Sequence, residues 1–539
     1  MTTVRLNPLD AAWLFTESRA TPNHVGGLLQ FRLPEGAPTD YMHKMMAEFR
    51  GHREFTAPWN RRLKYAFNKN PVPVWIEDRN IDLEYHVRHA ALPWPGGERE
   101  LGELVGRLQS TPLDLSRPPW ECTLIEGLEG DRFALFIKMH HSLIDGVSGM
   151  KLLQGAMSPD REASRKLPPF WASGLPRARR SGADTPLPTV ANALALAVEA
   201  LRGQVQTVPQ LVVAFGRMLK GLGTGDGMIV PFTSPQSVLN GRVREKRRFA
   251  TQQFPLERLR NLARAAECTL NDVVLAICGG ALRRFLDERG DLPARSLTTG
   301  IPVSVRPADD EGSGNAITFI IATLGTDIAD ARERLAAIRE SVRHAKEHVQ
   351  SLPKQAMLQY TVLLMAPTIL TLLAGIGGRT RPMFNITISN VPGPDKPLYF
   401  RGAELVAIYP ASIVTHGQAL NITCESYAGA MNFGFTGCHA SLPSMQRLAV
   451  YAEEALQELE AEIAPKATAA PRSRKAPAKS AAPVAKVARV AKAAKAKVGK
   501  SAAGKSPGAK ETTVTVTSEP GKTRGAAAAK KSAAPRRKP

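Results

Sequence analysis

Arg132-Phe-Ala-Leu-Phe-Ile-Lys-Met-His140-His141-Ser-Leu-Ile-Asp145-Gly146-Val-Ser-Gly149 is the stretch of this 539-residue chain from which the rest is read. Arg132–Met139 is an apolar run of strand length. It ends in two histidines; an Asp stands four residues after the second, followed by a Gly. The strand predicts a rigid placement for His141 at its end. Asp145-Gly146 is a turn dipeptide that folds the chain back. A carboxylate returned toward an imidazole fixes its tautomer, or else pairs with a distant Arg and holds the loop. Small residues at Gly146, Ser148 and Gly149 leave room beside the ring. A neutral histidine near pH 7 is a suitable general base for a hydroxyl. The plainer reading is a loop whose histidines merely satisfy their hydrogen bonds.

Other chemistries fit less well. His140 and His141 are adjacent and do not easily converge on one metal, and no H-E-x-x-H is present, so no metal is expected. His344 and His348 are spaced i, i+4 on a predicted helix, but amid Arg343, Lys346 and Glu347 they read as a solvated face. No G-x-S-x-G elbow marks a serine hydrolase. Gly499-Lys-Ser-Ala-Ala-Gly504-Lys505-Ser506 satisfies the phosphate-loop pattern letter for letter, but a low-complexity tail supplies neither the preceding strand nor the following helix that such a loop needs.

Charge divides the chain. The net charge is +22 and the pI about 10.0. From Lys466 to Pro539 there are 20 Lys and Arg against 2 acidic residues, so +18 lies in the tail and +4 in the first 465 residues. The body is a nearly balanced globular protein, not a basic binding domain. The tail has no aromatic residue and too little apolar surface to offset its ordering entropy, so disorder is expected from 466 to 539. The five cysteines are odd in number and form no C-x-x-C, which fits a reducing cytoplasm better than a disulfide scaffold. No apolar leader is expected at the start. Tyr360–Ile376 is the most apolar stretch; it is short for a span, has Pro367 in its middle and is followed by a basic Gly-Gly-Arg-Thr-Arg, so a buried or monolayer-touching helix is expected.

The order of elements gives an α/β protein in two halves. Residues 1–157 hold strands at Val74–Glu77 and Arg132–Met139 and helices at Glu98–Leu108 and Val147–Gly155. A Pro/Arg/Ala/Ser-rich segment opens a linker, 158–240, with helical character over Val190–Gly221. Residues 241–465 hold strands at Ser296–Val305, Ala316–Gly325, Met383–Ser389, Ala419–Ser426 and Ala430–Phe435, and helices at Arg332–His348 and Ser444–Ala461. With no strict β-α-β alternation, mixed sheets are expected. Thr269-Leu-Asn271-Asp272 is a capping box ahead of Val273, Val274, Ile277 and Phe285. That makes Asp272 first a capping residue, and leaves Asn271 either helical surface or channel lining. Ser304 and Arg306 end a strand and are candidates to face the site. Asn390-Val-Pro-Gly393 reads first as a turn. Gln418 and Asn421 are candidates to hydrogen-bond a developing oxyanion.

His140-His141-Ser-Leu-Ile-Asp145-Gly146 matches the HHxxxDG motif of the bacterial wax ester synthase/acyl-CoA:diacylglycerol acyltransferase family. That motif also resembles those of wider CoA-dependent acyltransferases and of peptide-synthetase condensation domains. The rest of the chain separates them. Asn7-Pro-Leu-Asp10, Thr21-Pro-Asn-His24-Val-Gly-Gly-Leu28, Pro118-Pro-Trp120-Glu-Cys-Thr-Leu-Ile-Glu-Gly127 and Asn271-Asp272-Val-Val-Leu-Ala276 are similar to the lipid-synthase family in order. So are Pro302-Val-Ser-Val-Arg306 with Gly314-Asn315, Asn385-Ile-Thr-Ile-Ser-Asn390-Val-Pro-Gly393-Pro394, and His416-Gly417-Gln418-Ala-Leu-Asn421. Asn23 stands where the family usually has Met, and the tail has no counterpart.

The resemblance implies two chloramphenicol-acetyltransferase-like domains joined by a crossover, with the active-site channel at their interface. It implies no bound cofactor: acyl-CoA is the co-substrate and diacylglycerol, or alternatively a long-chain fatty alcohol, is the acceptor. His141 would take the acceptor's proton as it attacks the thioester, without an acyl-enzyme. Asp145 would shape the loop by pairing with Arg306, Gly146 would turn it, and His140 would be secondary, orienting or lining. Such substrates imply peripheral work at a membrane or lipid-droplet surface, on the cytoplasmic side of the plasma membrane or at lipid bodies. Charge alone lets the tail meet anionic lipid or nucleic acid. Two rivals stay open: a polyanion-binding protein acting through its tail, and an acyltransferase taking carrier-bound donors.

Overall fold

Two six-stranded sheets and a three-stranded one hold the strands of the computed structural model, which describes residues 3–6, 8–66, 70–144, 146–173, 229–304, 317–351 and 354–463. The chain parts into two units, Met1–Thr468 and Ala469–Pro539, and every described residue belongs to the first. The tail, the helical reading of Val190–Gly221, and the residues Asp145 and Arg306 lie outside the described residues.

The small sheet joins β1 (Thr3–Arg5), β4 (Asn70–Glu77) and β3 (Arg61–Ala66) in the order β1-β4-β3. The first large sheet contains β2 (His24–Arg32), β5 (Val87–Ala91), β6 (Trp120–Leu128) and β7 (Arg132–His140). Its order is completed by two strands from far down the chain, β12 (Tyr399–Phe400) and β13 (Ala403–Ala411), as β12-β13-β2-β7-β6-β5. Only β5 and β6 run parallel there, so the sheet is mixed.

β7 is central, and every residue from Phe133 to His140 is buried. That explains its unbroken apolar reading: a strand covered on both faces loses the polar alternation. Phe133, Leu135, Ile137 and Met139 pack with Phe31, Phe49 and Trp171 on one face. Ala134 and Phe136 pack on the other with Leu101 and Val105 of the helix Glu98–Ser110 and with Phe249 of the second half.

The second large sheet has the order β10-β9-β11-β14-β15-β8. Its strands are β8 (Arg247–Pro255), β9 (Thr298–Ser304), β10 (Ile317–Thr323), β11 (Ile386–Val391), β14 (Leu420–Tyr427) and β15 (Ala430–Cys438). β11 runs parallel to both β9 and β14, against antiparallel neighbours elsewhere, so this sheet is mixed as well. The helix Leu270–Asp287 is buried along nearly its whole length, with Ala331–Gln350 and Arg447–Ile463 packed around the same core. Among the described residues no single helix is long and apolar enough to cross a membrane.

The halves interlock. Strand β13 pairs antiparallel with β2 over Glu404–Ala411, although the strands that flank the β12–β13 pair in sequence, Ile386–Val391 and Leu420–Tyr427, lie in the second sheet. It also crosses β15: a Cβ on Gly434 would lie 1.9 Å from the Pro410 carbonyl oxygen, so only glycine admits the crossing. The linker ends are divided between the halves. Phe170 and Trp171 join the first core, and Leu239 joins the second.

Asn385 pins the second sheet. It is fully buried; its Nδ2 donates to Pro235 O at 2.7 Å and Asn240 Oδ1 at 2.7 Å, while its Oδ1 accepts the Thr298 N–H at 2.9 Å. Asn385→Ala leaves those groups buried and unsatisfied. A loss of about 2–4 kcal/mol is expected in chemical denaturation, with m unchanged.

Candidate active site

The histidine pair is held by a turn and by the first helix. Strand β7 ends at His140, which faces His24 across the pairing with β2. The His140 N–H donates to Pro119 O at 2.9 Å and its carbonyl accepts the Leu143 N–H at 2.9 Å, closing a tight turn with His141 and Ser142 at its centre. The His141 N–H donates to Asn23 O at 2.9 Å. Its ring stacks on Trp13 at 4.4 Å between centroids, 24° from parallel. Asn23, buried, reaches the same helix from the other side: its Nδ2 donates to Trp13 O at 2.6 Å and to Thr16 Oγ1 at 3.0 Å. The departure from the family's Met is thus a residue that ties Pro8–Phe15 to the histidine turn. His141 stands directly after the end of the strand, as expected, and is half-buried.

His140 is fully buried and differs in role. Its Nδ1 accepts the Ser142 N–H at 3.1 Å and lies 2.6 Å from Ser142 Oγ, and its Nε2 lies 3.0 Å from Glu17 Oε2. An amide N–H can only donate, so Nδ1 carries the lone pair and Nε2 the proton. Two residues back, Lys138 is buried with Glu121 at 3.3 Å, and its Nζ donates to Leu108 O at 3.1 Å and Thr111 O at 2.7 Å. That charge closes the C-terminal end of Glu98–Ser110, where free carbonyls favour a cation. Burial, reinforced by Lys138, holds His24 well below the usual histidine range, so it is neutral beside the pair.

The two glycines after the turn differ in their surroundings. Gly146 opens the helix Gly146–Gln154, and among the described residues an added Cβ there meets nothing within 4 Å. Gly149 is small for packing: a Cβ would come within 2.8 Å of Met139 Sδ. The pairing of Asp145 with Arg306 falls outside the described residues. Ser304 ends β9 as expected.

In the second half the structure sorts the remaining candidates. Asp272 is the capping residue: its Oδ2 accepts from Thr269 N at 2.9 Å and Thr269 Oγ1 at 2.7 Å, and its own N–H donates to Thr269 Oγ1 at 3.3 Å. Asn271 lies half-buried in the first turn of that helix. Asn390 is not in a turn. β11 continues through Val391 because Asn390 and Val391 stay paired with Cys424 and Glu425, and the chain breaks only at Pro392. Strand alternation puts Asn390 on the face of Ile386 and Ile388.

Thr387 and Ser389 point the opposite way, with their partners Asn421 and Thr423. Here Thr387 Oγ1 donates to Gln418 Oε1 at 3.0 Å, and Thr423 Oγ1 donates to Asn421 Oδ1 at 2.9 Å. Ser412, just past β13, lies 2.7 Å from Thr423 Oγ1. With the Thr423 proton committed to Asn421, Ser412 is the donor of that contact. Both amide oxygens accept a hydrogen bond, and each side chain also carries an NH₂ group able to donate. Gln418 and Asn421 therefore share one polar sheet face, and Asn390 is not on it. Sequence reasoning missed Trp13, Glu17, Ser412 and Thr423; Trp13 and Glu17 meet the histidines from far along the chain, and none of the four leaves a spacing signal.

Comparison with known proteins agrees along the chain. The wax ester synthase/diacylglycerol acyltransferase catalytic domain matches residues 6–274, and the C-terminal domain of the same family matches 313–460. A putative diacylglycerol O-acyltransferase of Mycobacterium tuberculosis is 45% identical over 486 residues, covering 85% of this chain and 97% of the relative. The O-acyltransferase WSD of Acinetobacter baylyi is 38% identical over 461 residues, with coverage of 85% and 97%. The solved wax ester synthase/diacylglycerol acyltransferase from Marinobacter aquaeolei VT8 superposes with a TM-score of 0.69 at 37% identity, over 85% of this chain and 99% of that one. The first condensation domain of the calcium-dependent antibiotic synthetase, at 17% identity and a TM-score of 0.52, shares the fold. With both its domains matched and relatives alike over nearly their full length, the chain belongs to the wax ester synthase/diacylglycerol acyltransferase family.

Proposed function

We propose that the chain transfers a long-chain acyl group from acyl-CoA to the hydroxyl of diacylglycerol, forming triacylglycerol, with His141 as general base. The observation that carries this is a half-buried imidazole on a closed turn, its ring plane set by Trp13, in a chain 45% identical to a relative named for that acyl transfer. His141 takes the hydroxyl proton as the oxygen attacks the thioester carbonyl. The tetrahedral intermediate collapses, the C–S bond breaks, and the proton passes from the imidazolium to the leaving CoA thiolate. Gln418 and Asn421 supply amide N–H donors for the oxyanion. Asn421→Leu is expected to lower kcat by about 10²-fold, the usual cost of one such donor. Unchanged kcat removes Asn421 from this role.

A long-chain alcohol as acceptor is the second reading, favoured by the Marinobacter structure, whose name joins both activities. Radiolabelled palmitoyl-CoA supplied with diacylglycerol or hexadecanol decides between them by product. Silence with both acceptors in a folded protein overturns the proposal, and carrier-bound donors or a tail-borne polyanion function then take its place.

The amphiphilic substrates place the enzyme at a membrane or lipid-droplet surface, peripheral and on the cytoplasmic side. Leu370, Leu373 and Ile376 are exposed near the end of the helix Lys354–Leu373, with Arg379 and Arg381 exposed beside them. An apolar knuckle flanked by cations suits an anionic lipid surface. The basic tail adds a second, purely electrostatic attachment to anionic lipid or nucleic acid.

A further inference from the structure

We infer that Glu17 is a positioning residue for the acyl transfer: its carboxylate fixes the tautomer of His140, and through His140 it sets the turn that aims His141. The inference rests on His141 being the base. Glu17 follows the first helix, and its side chain is 12% exposed, so the carboxylate is largely withdrawn from water. Its Oε2 accepts the Nε2–H of His140 at 3.0 Å.

That contact has a consequence on the far side of the ring. With the proton held at Nε2, Nδ1 is free to accept the Ser142 N–H at 3.1 Å and the Ser142 hydroxyl at 2.6 Å. The opposite tautomer would put a proton on Nδ1 facing the Ser142 N–H, and the turn would have to open. His141 is the residue between these two. Its own N–H is anchored to Asn23 O, so its ring direction follows from where His140 and Ser142 hold the backbone. Glu17 and Trp13 come from one short segment, so the same stretch of chain holds both histidines, His140 by its edge and His141 by its face.

Rigidity alone does not call for this arrangement. Burying a carboxylate and an imidazole costs desolvation that an apolar pair of similar volume would avoid. What the polar pair adds is direction: one tautomer and one ring orientation. The parallel is the carboxylate that orients a metal-ligating histidine through its second ring nitrogen.

The test uses the full chain as wild type, Glu17→Ala, Glu17→Gln, His141→Ala and the double variant Glu17→Ala/His141→Ala. Each is assayed for kcat and KM with palmitoyl-CoA. Histidine side-chain ¹⁵N spectra report the His140 tautomer independently of activity. Glu17→Ala is expected to lower kcat by about 10–100-fold, the scale of a misplaced catalytic group, with KM within about two-fold. Glu17→Gln retains an acceptor for Nε2–H and recovers most of that loss. In the His141→Ala background, Glu17→Ala adds nothing, because its route to the chemistry is gone. The ¹⁵N spectrum shows a single Nε2–H form in wild type and a mixture in Glu17→Ala.

Equal losses for Ala and Gln, a further loss in the His141→Ala background, or an unchanged tautomer with intact kcat each overturn the inference. Should Glu17→Ala fail to fold, Glu17→Asp withdraws the carboxylate by one methylene and is judged by the same readouts. If His141→Ala keeps full turnover, the base assignment fails on its own, while the ¹⁵N signature still reports whether Glu17 sets the tautomer.

Discussion

His141→Ala is expected to drop kcat for acyl transfer by about 10²–10⁴-fold, the range for loss of a general base. The substitution spares the backbone contacts that hold the turn. The turn is closed by His140 O and Leu143 N, and the anchor to Asn23 O uses the backbone N–H, which alanine keeps. The Glu17–His140–Ser142 lock involves no atom of the His141 ring. The losses include the acceptor for the hydroxyl proton and the face stacked on Trp13. Single-turnover kinetics with palmitoyl-CoA, beside circular dichroism to show the fold intact, give the measurement. A variant that turns over within about ten-fold of wild type assigns the base elsewhere.

The second large effect concerns stability. Glu425 lies on β14, buried, with no hydrogen-bond partner for its Oε1 among the described residues. Burial pushes its carboxyl up to about 8. In the unfolded chain the same group ionises near the ordinary glutamate value of about 4.3. The folded state therefore binds the extra proton, and stability falls as pH rises from about 4.3 to about 8, then levels off. Glu425→Gln removes that dependence. Its stability advantage should be near zero at pH 4, about 3–4 kcal/mol at pH 7 and on the order of 5 kcal/mol above pH 8, at about 1.4 kcal/mol per pKa unit. Urea titrations of both proteins across that range test it. Parallel curves would show that Glu425 ionises in place.

What the sequence made legible follows from which signals are local. The buried strand β7, the capping box at Thr269 and the helices Ala331–Gln350 and Arg447–Ile463 were readable because periodicity and capping are written within a dozen residues. The end of β11 was not. Pro392 and Gly393 signalled a turn, but the pairing of Asn390 with Cys424 carried the strand further. β13 was missed because its partner β2 lies near the other end of the chain, and nothing in Ala403–Ala411 names that partner. At the candidate site, the histidines at the strand end were legible in their local sequence, whereas the residues that hold them were not. Trp13, Glu17 and Asn23 act through a stacking face, a carboxylate edge and a carbonyl, none of which imposes a spacing.

The loan of β13 to the first sheet also bears on how the chain is made. Synthesis proceeds from the amino end, so β2, β7, β6 and β5 leave the ribosome long before Ala403–Ala411 exists. Until then the β2 edge offers unpaired backbone groups to any neighbouring strand, nascent or foreign. The first half cannot reach its finished hydrogen bonding while tethered, and its last strand must arrive by a contact between distant parts of the sequence, a slow class of closure. Such a chain invites chaperone protection during translation. It also resists being cut into independently folding halves: a fragment ending in the linker would carry the whole histidine turn and still display a raw sheet edge.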